Sequence, residues 1–143
     1  MLPISPTNHA GARFDWTSPA RFKDHRGMEH RTYCEPLEPL DPLRISHAIT
    51  APYHNRRIAA VNDHEIRMSV MTHGFPWHRH PASDESFYAI DGELVIEFAH
   101  HQVVLKPGEF LTVPRGVLHR TRPAGERSVN LTFEKLGAET VFE

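Results

Sequence analysis

The sequence predicts an all-β domain, a sandwich or barrel made of many short strands. Three observations carry that expectation. From Arg57 onward, short apolar or alternating runs recur at close spacing. Turn signals separate them: Asp91-Gly92, Pro107-Gly108, Pro114-Arg115-Gly116 and Pro123-Ala124-Gly125. No stretch shows a convincing amphipathic helical period, and strand grammar without helices belongs to sandwiches and barrels.

The elements follow in order. Residues 57–61 are β-compatible. Residues 65–72 alternate, which puts Ile66, Met68, Val70 and Thr72 on one face. Residues 77–80 form a short run that Pro81 ends. Residues 85–91 run into Gly92, and Asp91-Gly92 is a strong hairpin signal because both positions tolerate positive φ. Residues 93–99 return, with His100-His101 at the next turn. Residues 102–105, 109–113, 117–121 and 128–133 complete the series.

The first fifty-two residues obey different rules. Pro3, Pro6, Pro19, Pro36, Pro39, Pro42 and Pro52 punctuate them, so a long helix or a central strand is not expected. Residues 35–44 (EPLEPLDPLR) read as extended chain with leucines lying against something apolar. A Pro-rich ligand for a partner is the alternative, but the leucines need burial either way. We therefore divide the chain into an N-terminal extension, 1–56, and a barrel domain, 57–143.

Composition bounds the function. A chain of 143 residues suits one domain and can bury a core without disulfides. The formal net charge is -2, and Lys and Arg never form a dense run, so no nucleic-acid footprint is expected. The single Cys, Cys34, cannot form an intramolecular disulfide and reads as incidental. No apolar stretch reaches membrane-spanning length, and the N-terminus lacks the basic region and apolar core of a signal peptide. A cytoplasmic protein without membrane contact is the expectation. The twelve His are the compositional oddity.

His78-Arg79-His80 places two imidazoles on one face of a strand, since residues two apart share a face. Alone, such a pair is more often surface or packing than ligand. Glu85 follows a turn and opens the next strand, where its carboxylate can join the two imidazoles. His119 follows Pro114-Arg115-Gly116 and can supply a third imidazole from a strand distant in the chain. Imidazoles with one carboxylate form a recurring ligand set for non-haem iron(II), and the set also suits Mn, Co, Ni or Zn.

The stretch 74–92 (GFPWHRHPASDESFYAIDG) resembles the first cupin motif, in which Gly precedes His-X-His, then Glu, then Gly. The stretch 108–123 (GEFLTVPRGVLHRTRP) resembles the second, with Gly108, Pro114, Gly116 and His119 at the family spacing. Two departures stand out. Gly74 lies closer to His78 than is usual, and Pro123 replaces the usual final Asn; neither touches a ligand position. The resemblance implies a double-stranded β-helix, the cupin or jelly-roll barrel. It implies one divalent metal ion (Fe, Mn, Ni or Zn) held by His78, His80, Glu85 and His119. It also implies a homodimer, with residues 1–56 packing on the barrel or on a neighbouring subunit.

Strand parity sorts the remaining candidates. Phe87 should share the Glu85 face, and Val117 and Thr121 the His119 face, as pocket walls. Trp77 and Tyr88 have the opposite parity and should pack on another layer or subunit. Asp84 should point away from Glu85. His73, His100 and His101 read as solvated; Arg115 and Arg120 read as surface residues, with an anion clamp as the alternative. No proton-transfer group can be placed, although His73 and Tyr88 are conceivable. The expected function is a metal-dependent enzyme acting on a small oxygen-rich or anionic molecule, of the isomerase, lyase or dioxygenase class. Two alternatives are a non-catalytic module that binds a small ligand, and a metal that only staples the barrel.

Overall fold

A computed structural model describes residues 37–143 in full and, before them, the backbone of strands β1 (Ala20–Lys23) and β2 (Glu29–Thr32). Those two strands pair antiparallel. Cys34 and the prolines before Pro39 lie outside the described residues.

Residues 35–44 were expected to be extended, but a single helical turn, α1 (Pro42–Ser46), forms there. The cause is local: the Asp41 carboxylate accepts from the Arg44 N–H at 3.0 Å, and Pro42 sits in the first turn, where its missing N–H is harmless.

The strands are β3 (Tyr53–Val61), β4 (His64–Met71), β5 (Phe75–Arg79), β6 (Glu85–Asp91), β7 (Leu94–Phe98), β8 (Gln102–Leu105), β9 (Phe110–Val113), β10 (His119–Pro123), β11 (Ser128–Lys135) and β12 (Val141–Phe142). β3 begins at Tyr53, ahead of the expected Arg57, while β6 and β8 have the expected bounds. Two five-stranded antiparallel sheets face each other, in the orders β12-β5-β10-β7-β8 and β3-β4-β11-β6-β9. This is the expected all-β double-stranded β-helix.

The Asp91-Gly92 turn is not a hairpin. β6 pairs with β11 and β9, whereas β7 pairs with β10 and β8, so this turn carries the chain from one sheet to the other. Gly92 has φ +66°, and a β-carbon there would run into the Arg127 carbonyl oxygen of the neighbouring crossing. The residue pair marks a reversal correctly, but it does not choose the pairing partner. True hairpins join β3 to β4 through Asn62 (φ 54°) and β7 to β8, where Phe98 N–H donates to the His101 carbonyl at 2.8 Å.

Two apolar clusters hold the sheets. Met71, Phe87, Ala89, Leu94, Ile96, Leu105 and Val113 pack between them. Ile58, Met68, Val70 and Val129 form the second cluster, which Leu40, Ile45 and Ile49 cover. The face shared by Ile66, Met68 and Val70 is therefore the outer face of its sheet, roofed by the segment around α1. Arg127 pins that roof by donating to the Ser46 carbonyl at 2.7 Å. The opposite face of β4, with Glu65, Arg67 and Ser69, turns inward.

Gly92→Ala is expected to lower unfolding stability by more than about 1 kcal/mol, since it adds a clash to positive-φ strain. Gly108→Ala, at φ +91° with open space around it, should show the strain alone. Urea titration of both variants checks the order; equal losses would contradict it.

Candidate metal centre

His78 lies on β5 and His80 one residue beyond its end, so the two share the inward face as the spacing requires. His119 opens β10 directly opposite His78, its register partner. Glu85 opens β6 in the facing sheet, rather than on a strand adjacent to the His pair. All four side chains are buried, at 3%, 6%, 1% and 7% exposed for His78, His80, His119 and Glu85. One ligand atom from each lies within 4.8 Å of every other, so the four could hold a metal ion.

Hydrogen bonding sets the tautomers. His78 Nδ1 meets the Pro76 carbonyl at 2.8 Å, His119 Nδ1 the Val117 carbonyl at 2.9 Å, and His80 Nδ1 the Glu139 carbonyl at 2.9 Å. A carbonyl only accepts, so each Nδ1 carries a hydrogen. Each neutral ring then aims an Nε2 lone pair at Glu85. The distances to Glu85 Oε2 are 3.1 Å from His80, 3.1 Å from His119 and 3.8 Å from His78. Lone pairs and a carboxylate facing one another repel unless a cation or a proton lies between them. The donor set thus fits a divalent ion, and imidazoles pinned through Nδ1 are the usual support of such ligands.

Without a metal, a proton serves. Burial disfavours charge on His80, but the hydrogen bond and charge of Glu85 prevail and hold its imidazole up at about 9. Burial likewise works against the Glu85 carboxylate; the imidazoles of His119, His78 and His80 overcome it and hold the carboxyl well below its usual range. Burial, reinforced by the Glu85 charge, pushes the Glu134 carboxyl up to about 7.

With His119 behind them in the cluster, His78, His80 and Glu85 border a cavity of about 380 Å³, within the usual range for small-molecule sites. Its floor includes Met71 and Phe87 of the inter-sheet core. Its polar wall comes from Tyr53 and Asn55 of β3, Glu65, Arg67 and Ser69 of β4, and Asn130, Thr132 and Glu134 of β11. Arg57 and Arg67 both bind Glu65, at 2.7 and 3.2 Å, and Arg67 also donates to Asn55.

Parity placed several side chains correctly. Phe87 and Thr121 line the cavity, while Val117 is exposed at its strand's approach. Trp77 lies under the Arg120 guanidinium, 4.9 Å from its centroid, and Arg120 also pairs with Glu97, so neither faces the cavity. Tyr88 packs near Phe110 on the outer side. Arg115 is exposed, and its backbone N–H donates to Asp84 at 2.8 Å. His73, His100 and His101 are exposed. The residues missed are Tyr53, Arg67, Asn130, Thr132 and Glu134. For Asn130, Thr132 and Glu134 the signal was present as alternation in 128–134 (SVNLTFE), which does not say which side is inward.

Residues 64–133 match the family described as "Cupin domain". The chain belongs to the cupin superfamily. It is 43% identical over 101 residues to "Uncharacterized protein YdbB" of Bacillus subtilis (strain 168), covering 70% of this chain and 88% of that one. A cupin-2 domain containing protein from Shewanella frigidimarina superposes with a TM-score of 0.63 at 27% identity, over 68% of this cupin and 94% of that chain. The DMSP lyase DddQ from Ruegeria pomeroyi superposes with a TM-score of 0.56 at 20% identity, over 64% of this chain and 51% of that one, a likeness of fold alone. Among the described residues, no helix is long and apolar enough to cross a membrane.

The His80 proton gives this cupin a pH signature in its metal-free form. Its imidazole holds that proton to higher pH in the fold than in the unfolded chain. The resulting stability is fully present below about 6.5 and is lost as pH rises through about 9. Chelated protein is expected to lose stability from pH 6.5 to 9, and His80→Gln should remove most of that slope. Urea midpoints across the range check this; a slope unchanged in the variant would contradict it.

Proposed function

We propose that this cupin is a metal-dependent enzyme of the isomerase, lyase or dioxygenase class, acting on a small oxygen-rich or anionic molecule. In this reading His78, His80, Glu85 and His119 hold one divalent ion. The observation that carries it is the convergence of three Nδ1-pinned imidazoles and a carboxylate, of which His78, His80 and Glu85 border a cavity of about 380 Å³.

A bound divalent ion would supply Lewis-acid polarisation of a substrate oxygen, or oxygen chemistry where the ion is iron. The protein does the rest. If six-coordinate, an ion held by these four side chains would have positions left over for a pair of substrate oxygens. One carboxylate among three neutral imidazoles leaves the centre net positive, which favours an anionic oxygen group. Met71, Phe75 and Phe87 give the cavity an apolar side. The Glu134 carboxyl and the Tyr53 hydroxyl border the same space and are the groups placed to hold or pass a proton. A metal that only staples the barrel would need no cavity beside it, and this one has a cavity.

The test begins with protein made without a histidine tag or chelator. Elemental analysis should find about one first-row divalent metal per chain, and His119→Ala should weaken metal binding by at least about tenfold. Turnover of hydroxy acids, keto acids and catechols, followed by NMR, should stop on chelation and return with one equivalent of metal. Metal-free protein whose melting temperature ignores both chelator and added metal would overturn the proposal. Saturable metal-dependent binding without turnover across the panel would favour a non-catalytic binding module.

A further inference from the structure

Among the described residues, the buried side-chain polar atoms without a hydrogen-bond partner are Ser128 Oγ, Asn130 Nδ2, Thr132 Oγ1 and Glu134 Oε2. All four lie on β11 at alternate positions, so all face the same side of the strand. The last three line the cavity and are 1%, 2% and 8% exposed. Glu134 Oε2 has a long contact, 3.7 Å, with His80 Nδ1; Asn130 Nδ2 and Thr132 Oγ1 lack a hydrogen-bond partner. An unpaired buried polar group costs about 1–3 kcal/mol, so such a row is unusual without something to bind it.

The row has a direction. β11 pairs with β6 such that Thr132 lies beside Phe87 and Asn130 beside Ala89, which places Glu134 at the level of Glu85. The row therefore starts at the metal corner and runs along β11 for about 13 Å of strand. Its chemistry is mixed: an amide donor, a hydroxyl that donates or accepts, and a carboxyl oxygen. Hydroxyl groups, which donate and accept at once, suit all three. The guanidinium groups near the row already bind Glu65 and Asn55, so a second strong anion such as a phosphate would compete with those partners. The cavity, about 380 Å³, has room for about a dozen water-sized groups.

We propose that Asn130, Thr132 and Glu134 form a hydroxyl-reading row, and that the ligand is a compact, unphosphorylated polyhydroxy molecule whose chelating end sits at the metal corner. The chelating end rests on the metal reading above; the row does not.

The test uses D-gluconate as probe, hexanoate as its hydroxyl-free counterpart and 6-phosphogluconate as the phosphorylated one. Binding is measured by calorimetry on full-length protein with and without one equivalent of nickel. Gluconate should bind at least tenfold more tightly than hexanoate, and 6-phosphogluconate no more tightly than gluconate. Thr132→Val and Asn130→Leu should each weaken gluconate by about five- to tenfold and leave hexanoate and nickel binding unchanged. Both variants should melt at or above the wild-type temperature, because each removes an unpaired polar group. A row satisfied by ordered water alone would leave gluconate affinity unchanged in both variants, and that result overturns the proposal. So does gluconate binding no more tightly than hexanoate. If nickel fails to bind but the gluconate preference persists and falls in the variants, the metal reading fails and the row stands.

Discussion

Three backbone carbonyls govern what this barrel can hold. By accepting from the Nδ1–H of His78, His80 and His119, they fix each ring's tautomer and orientation. Every Nε2 is then committed to the same small volume, where Glu85 arrives from the opposite sheet. The rest of the molecule serves that convergence. The β5–β10 register sets His119 across from His78, the segment after β11 offers the Glu139 carbonyl to His80, and the Gly116 N–H ties the loop before His119 to the His80 carbonyl at 2.8 Å.

A buried carboxylate among three imidazoles would be a liability in a protein that needed only a core. Without a cation, the corner depends on a proton held by His80, and nearby Glu134 is kept partly protonated at neutral pH by its burial and by Glu85. The same barrel keeps its apolar packing elsewhere, between the sheets and under the roof around α1. Chemistry and stability are thus separated in space. One cluster of apolar side chains floors the cavity, and the outer cluster stabilises the sheet that carries the polar wall.

The convergence of the four side chains was legible because its information is local: two-residue spacing for His78 and His80, and motif spacing for Glu85 and His119. Strand positions were legible for the same reason. What alternation could not give was the inward side. In β4 and β11 the apolar side faces outward, because residues 40–49 cover it, and the polar side faces the cavity. A strand's pattern states that its two faces differ; only the packing of a distant segment decides which is inside. Asp91-Gly92 failed in a related way, since a turn signal constrains φ at two residues and leaves the pairing partner to the sheets. The helical turn at Pro42–Ser46 was carried by Asp41-Pro42, a start signal that the surrounding prolines concealed.

X-ray absorption at the metal edge, on protein given one equivalent of a first-row divalent metal, reads the convergence most directly. Three imidazole nitrogens and one carboxylate oxygen should surround a single ion at about 2.0–2.2 Å, with the imidazole signal reduced by one ring in His78→Ala. An ion with one imidazole or none in its shell, or a spectrum that His78→Ala leaves unchanged, would place the metal elsewhere and contradict the site.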